Sequence, residues 1–328
     1  MSYVLVAAGL SLLLLGGELL VRGAVWLARR LGVSPLIIGL TIVAYGTSAP
    51  ELLVTLRASL AGAPGIAIGN VVGSNIANIL LIVGCSALIF PITCAPGSIK
   101  VTGPVVLGST LLLVLLGLGG AITPWAGIPM LAFLIGFTVF SYQVERQGAL
   151  AGDPEAALHL KEVEAFEGGS RSLAGGSLAL LAGLAGVIAG SHFLVTGAVG
   201  LARSFGVSEA TIGLTLVAFG TSLPELATAV VAAYRRHSDV ALGNVVGSNL
   251  FNILGVMGVV PLFGTLPVPP GMAGFDLWVM LGVTVFFIVW IMRCHCVGRV
   301  LAAAFLLGYG VYIACHYFGI AALPFAPA

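Results

Sequence analysis

Charge is what this sequence has least of: 13 basic and 12 acidic residues among 328, or 8%, where soluble domains average about 25%. That scarcity, with 59% hydrophobic residues and a mean hydropathy of +1.15, excludes a water-soluble globule and places the chain in a bilayer. Cysteine is sparse too. Cys85, Cys94, Cys294, Cys296 and Cys315 are odd in number and lie in or near apolar segments, which excludes a disulfide framework and leaves structural or free thiols. Cys294-His295-Cys296 carries metal-ligand residue types, but Cys-x-Cys is not among the common zinc spacings. No basic stripe exists outside the loop ends, so nucleic acid is not an expected partner. His-Glu-x-x-His, a P-loop and a Gly-x-Ser-x-Gly turn in a strand-to-helix setting are missing, so no enzymatic activity or cofactor is expected. The apolar N-terminal run lacks a basic n-region and holds Glu18, so it reads as an uncleaved first helix.

Long apolar runs are abundant. A spanning helix takes roughly 20 residues, and ten are predicted, near 3–28, 33–61, 66–90, 100–120, 124–143, 173–199, 207–234, 239–262, 272–292 and 297–318. On that map Arg29, Arg30, Lys100, Arg146, Lys161, Arg171, Arg235, Arg236, Arg293 and Arg299 fall on one side, and Arg57 and Arg203 on the other. The first side is therefore expected to be cytoplasmic and both termini extracytoplasmic. The expected class is an all-α polytopic protein of the cell (inner) membrane, with the bilayer as its partner and no obligate protein partner.

The chain also repeats itself. Residues 39–80 recur at 213–254 with a constant offset of 174, and 23 of the 42 pairs are identical, Thr, Ser, Asn, Pro and Glu among them. The expected organisation is a first repeat over 1–143, a cytosolic linker over 144–172 and a second repeat over 173–328. Five spans per half is odd, so the second half must enter the membrane in the opposite sense, the inverted arrangement in which transporters place substrate near the midplane. The linker's Asp153, Glu155, Glu162, Glu164 and Glu167 are expected on a short solvated helix, without EF-hand spacing.

Two motifs interrupt the apolar runs. Gly46-Thr47-Ser48-Ala49-Pro50-Glu51 and Gly220-Thr221-Ser222-Leu223-Pro224-Glu225 each put a carboxylate inside a predicted span, at a cost of roughly 2.5–3.5 kcal/mol per charge. A bound cation is the simplest compensation. Pro50 and Pro224 lack an amide hydrogen, which frees the carbonyls of Gly46 and Gly220 and breaks each helix near the midplane. Thr47 and Ser48 precede Glu51 by four and three residues and share its face, as Thr221 and Ser222 share that of Glu225. A third element, Gly69-Asn70-Val71-Val72-Gly73-Ser74-Asn75-x-x-Asn78, returns as Gly243-Asn244-Val245-Val246-Gly247-Ser248-Asn249-x-x-Asn252. Its glycines permit close helix packing, and its Ser–Asn pairs, four apart, present a hydroxyl and an amide on one face. Asn70, Asn75, Asn244 and Asn249 read equally as ligands or as helix glue. The donor set is oxygen only, which suits calcium better than zinc or copper, and two negative charges match one divalent ion. Glu18 has His192 as its repeat partner, so the symmetry assigns it no role.

The paired motifs GLTIVAYGTSAPELL with GNVVGSNIANIL, and GLTLVAFGTSLPELA with GNVVGSNLFNIL, resemble those of the calcium/cation antiporter superfamily, specifically its prokaryotic sodium/calcium exchangers. The resemblance covers essentially the whole chain. It implies ten helices with outward termini, in which a peripheral pair slides against a core of eight, and Ca2+ and Na+ as the transported ions. It further implies Glu51 and Glu225 as central calcium ligands. The carbonyls of Ala44, Thr47, Ala218 and Thr221 and the side chains of Ser48, Ser222, Ser74 and Ser248 would complete the sites. In some relatives an aspartate stands at one of the positions held here by Asn78 and Asn252. Two amides leave two formal negative charges, which argues against potassium co-transport. Proton-coupled calcium exchange and a passive cation channel remain as alternatives.

Overall fold

A computed structural model describes residues 2–95, 99–150, 173–205 and 220–318. The acidic part of the linker and Ala218 lie outside them. Among the described residues, seven helices are long and apolar enough to cross a membrane, and eight if the bent pair Pro35–Thr47 and Ala49–Leu60 is counted as one span. Two predicted spans are represented by shorter helices, Thr102–Leu118 and Leu223–Tyr234.

The chain opens with α1 (Ser2–Leu31), then α2 (Pro35–Ile38), a π-helical turn over Gly39–Val43, α3 (Ala44–Thr47) and α4 (Ala49–Leu60). Next come α5 (Pro64–Ala77), a π segment over Asn78–Val83 and α6 (Gly84–Ile89). After β1 (Ile92–Thr93), α7 (Thr102–Leu118) and β2 (Ala121–Ile122), the first half ends in α8 (Pro124–Leu150). The second half runs through α9 (Leu173–Ser204), α10 (Leu223–Tyr234) and α11 (Ser238–Leu250), and then a π segment over Phe251–Val256 and α12 (Met257–Val259). It closes with β3 (Leu266–Pro267), α13 (Pro270–Gly274), α14 (Asp276–Cys294), β4 (Cys296–Val297) and α15 (Arg299–Tyr317). The all-α expectation thus needs one amendment. Two antiparallel two-residue ladders, β1 with β4 and β2 with β3, tie loops of the first half to loops of the second.

Burial is inverted relative to a soluble domain. Leu14, Leu15, Trp125 and Leu307 are exposed around the periphery, as hydrocarbon-facing residues should be. Glu51, Glu225, Asn78, Asn244, Ser248 and Asn252 are buried at the centre, walled by apolar side chains such as Val71, Ile79, Val245 and Leu254.

Helices α1 and α9 pack along two glycine rows spaced by seven residues, a pattern the repeat predicts by its offset but the Leu-rich background conceals. A Cβ on Gly9, Gly16 or Gly23 would meet the backbone of Leu194, Val187 or Leu180, and one on Gly183, Gly190 or Gly197 the backbone of Leu20, Leu13 or Ser2. Glu18, unassigned by the sequence, accepts hydrogen bonds from Arg22 and from Arg235 Nε (2.7 Å), joining α1 to the end of α10. Asp276 at the start of α14 accepts from Tyr312 (3.0 Å) and lies 2.7 Å from His316 Nε2, joining α14 to α15.

All five cysteines are free thiols. Burial, reinforced by Asp239 and Cys296, pushes the Cys94 thiol up to about 12, which disfavours the thiolate a metal needs. No group of three or more His, Cys, Asp or Glu side chains among the described residues is arranged to hold a metal.

Candidate cation site

Each carboxylate is set by a break in its helix. The turn at Ser48 (φ −86°, ψ 8°) separates α3 from α4, and its repeat counterpart Ser222 (φ −87°, ψ 4°) precedes α10. The prolines therefore lie at the helix break that the sequence predicts, in the first turn of the following helix, where an amide hydrogen has no intrahelical partner to lose. Glu51 and Glu225 fall in those same first turns, at the positive end of the helix dipole. The α2–α3 segment and α4 meet at 41°.

The two half-motifs cross over. Ser48 Oγ donates to Glu225 Oε1 at 2.7 Å, and Ser222 Oγ to Glu51 Oε1 at 3.3 Å. Thr221 lies beside the Glu51 carboxylate, and Thr47 beside that of Glu225. Ser74 approaches from α5, its Oγ 3.4 Å from that of Ser222. Ser248 lies against Glu225, outside hydrogen-bond geometry. The backbone is engaged as well: Ala44 O accepts the Ser48 N–H at 2.9 Å and the Thr47 hydroxyl at 3.2 Å.

Asn70 and Asn244 belong to this arrangement, a role the sequence left balanced against simple helix packing. Asn70 Nδ2 donates to Glu51 O at 3.2 Å and Asn244 Nδ2 to Glu225 O at 3.3 Å. Their Oδ1 atoms accept from the opposite motif, Asn244 from Thr47 (3.2 Å) and Asn70 from Thr221 (3.5 Å). Each amide thus binds its own half's glutamate backbone to the other half's threonine. Asn75 and Asn249 stay closer to the glue reading: Asn75 Nδ2 donates to Val71 O at 2.7 Å, and Asn249 Nδ2 to Asn75 O at 3.4 Å.

Asn78 opens one π segment and Asn252 lies in the other, a helix form frequent at functional sites. Asn78 Nδ2 donates to Asn249 Oδ1 at 2.9 Å, turning its oxygen elsewhere. Glu51 Oε2, Glu225 Oε2, Asn78 Oδ1, Ser248 Oγ and the Asn252 side-chain amide atoms are all buried, with no hydrogen-bond partner among the described residues. Partnerless buried oxygens are costly. Two carboxylates, amide oxygens and hydroxyls form a hard-oxygen set suited to an alkaline-earth or alkali cation.

A family model described as "Sodium/calcium exchanger protein" matches residues 1–143 and 176–318. The putative antiporter CaxA of Alkalimonas amylolytica is 40% identical over 281 residues, 86% of each chain. The sodium/calcium exchanger MaX1 of Methanosarcina acetivorans is 31% identical over 88% of this chain and 91% of its own. A solved structure of the sodium-calcium exchanger NCX_Mj, soaked with sodium and strontium, superposes with a TM-score of 0.82 at 32% identity, covering 95% of this chain and 98% of that one. Two halves that pool their oxygens in one buried site, inside a chain that the exchanger family model matches in both halves, lead to one assignment: the protein belongs to the sodium/calcium exchanger family of the calcium/cation antiporter superfamily, a multi-pass membrane cation antiporter.

Proposed function

We propose that the chain exchanges Na+ for Ca2+ by alternating access, with Glu51 and Glu225 as the shared central ligands. The observation that carries this reading is the crossed pair of bonds, Ser48 to Glu225 and Ser222 to Glu51. Because each carboxylate is bonded to the opposite motif, any displacement of either motif, as when the peripheral helix pair slides against the core, changes both carboxylates at once. A cation between them then senses, and is released by, that displacement. Ser48, Ser222, Ser74, Ser248, Asn78 and Asn252, with the carbonyls of Ala44, Thr47, Ala218 and Thr221, complete the ligand set. Sodium as counter-ion is supported by the names of MaX1 and NCX_Mj.

The same reading has ten spans in two inverted halves, 1–143 and 173–328, around the linker 144–172. Its support is the exchange of hydrogen bonds between equivalent residues, which a pseudo-twofold axis in the membrane plane generates. The excess of arginine on one side supports extracytoplasmic termini and a cytoplasmic linker, and the cell (inner) membrane is the proposed location.

Calcium uptake into proteoliposomes, driven in turn by outward sodium, potassium and proton gradients, tests the counter-ion. A flux driven by sodium alone is expected. A flux driven by a proton gradient without sodium would replace sodium by protons, and a current needing no counter-ion would replace the antiporter by a channel.

Ser48→Ala is expected to raise the calcium concentration for half-maximal flux by about tenfold or more, since a hydrogen bond to a charged group contributes about 1.5–3 kcal/mol. Ser222→Ala, whose bond is longer, is expected to do less. Dose–response curves for the two variants check both the size and the order.

A further inference from the structure

A groove of about 830 Å³ runs between the α2–α3 segment and α8, apart from the cation site. Its walls are hydrocarbon, among them Ile38, Ile42 and Val139, and Ile42 and Val139 are 40% and 50% exposed. Three of the hydroxyls that line it, those of Thr41, Tyr45 and Thr138, already have hydrogen-bond partners, and Tyr142 adds a ring packed beside the apolar cluster of Leu13, Leu20 and Ile38. Thr41 donates to Ile37 O at 2.6 Å, Thr138 to Leu134 O at 2.7 Å, and the Tyr45 hydroxyl lies 2.6 Å from that of Thr138. A cavity lined this way asks for no water and no polar ligand; it accepts a hydrocarbon chain.

The far end differs. Gln143, Arg146 and Gln147 line it, all exposed. Arg146 makes no ion pair with any described residue, while the carboxylate of its neighbour Glu145 is turned to the Ser34 amide at 3.3 Å. From Thr138 to Arg146 is eight residues, about 12 Å along the helix. A mainly apolar groove with a cationic side chain in its lining is complementary to a lipid chain carrying an anionic headgroup.

We propose that this groove binds one acyl chain of an anionic phospholipid, its phosphate resting on Arg146. The bound chain lies against Tyr45, whose ring stacks on Phe251 at a centroid distance of 4.8 Å. Tyr45 sits between Ala44 and Gly46, and Phe251 immediately precedes Asn252. The lipid therefore braces two segments that line the cation site, and transport should respond to headgroup charge.

The binding step stands apart from any reading of transport and can be measured without it. The full chain in detergent is titrated with phosphatidylglycerol or phosphatidylcholine and its retained lipid counted by native mass spectrometry. The wild type is expected to retain phosphatidylglycerol preferentially. Arg146→Gln should bind it about fivefold less tightly, the contribution of one basic residue near a lipid surface, and lose the headgroup preference. Val139→Trp, which fills the groove, should lose both lipids. Equal phosphatidylglycerol retention in all three proteins, no retention by the wild type, or phosphatidylcholine held as tightly by the wild type would each overturn the proposal.

Discussion

Glu51→Gln and Glu225→Gln are each expected to abolish gradient-driven calcium flux, with calcium binding weakened by at least about a hundredfold. Glutamine keeps the shape of the side chain, so the helix breaks at Ser48 and Ser222 and the surrounding packing should survive. What it removes is charge. Each carboxylate directs one oxygen to a serine of the other half and keeps its second oxygen buried and unpartnered. Glutamine places a donor or a neutral acceptor there, leaving a divalent ion with one negative charge in a site where water cannot compensate. Removing one partner of a buried charge pair costs about 3–5 kcal/mol, which is the hundredfold or more quoted. Radioactive calcium binding and flux on the same preparation separate loss of ion binding from loss of movement. Normal exchange in both variants would remove these residues from the site.

The second large effect needs no ligand to change. Gly247→Ala is expected to destabilise the protein by about 1–3 kcal/mol or more and to suppress transport, although Gly247 carries no side chain. A Cβ there would stand 2.2 Å from Leu40 O and 2.6 Å from Leu40 Cα, and one on Gly243 would stand 2.4 Å from Leu36 O. These are backbone atoms of the α2–π segment, which cannot rotate aside as a side chain would. The helices must separate instead. Asn244, between the two glycines, would then be drawn from Glu225 O and from the Thr47 hydroxyl, at 3.3 and 3.2 Å. Thermal unfolding in detergent with calcium flux in vesicles checks both parts. By contrast Gly282, exposed on α14 with nothing within 4 Å of a Cβ among the described residues, should tolerate alanine with little change in either.

Several features of this site were legible in the sequence because membranes penalise polar residues. Two glutamates in apolar runs, each preceded by Gly-Thr-Ser and Pro, have no inexpensive structural explanation, and the offset of 174 pairs them in the sequence itself. The location of each helix break was not legible. Periodicity and a proline mark a region, whereas the turn itself falls on Ser48 and Ser222, two residues before each proline. The π segments at Asn78 and Phe251 leave no compositional trace. Asn70 and Asn244 were ambiguous because an amide serves a packing contact or a binding site with the same atoms. Only their bonds to the glutamate backbones and to Thr47 and Thr221 separate the two uses. Glu18 found its partner in Arg235, 217 residues away, a distance over which the repeat gave no guide. The ladders β1–β4 and β2–β3, at two residues a strand, are too short to show alternation.

The proposed shared site predicts obligatory coupling, because two buried carboxylates without a cation should resist passage through an occluded state. Proteoliposomes loaded with radioactive calcium and diluted into buffer free of sodium and calcium test it directly. The tracer is expected to remain inside, and to leave when external sodium or unlabelled calcium is added. Rapid loss into the ion-free buffer from protein-containing vesicles, beyond that from protein-free vesicles, would contradict it.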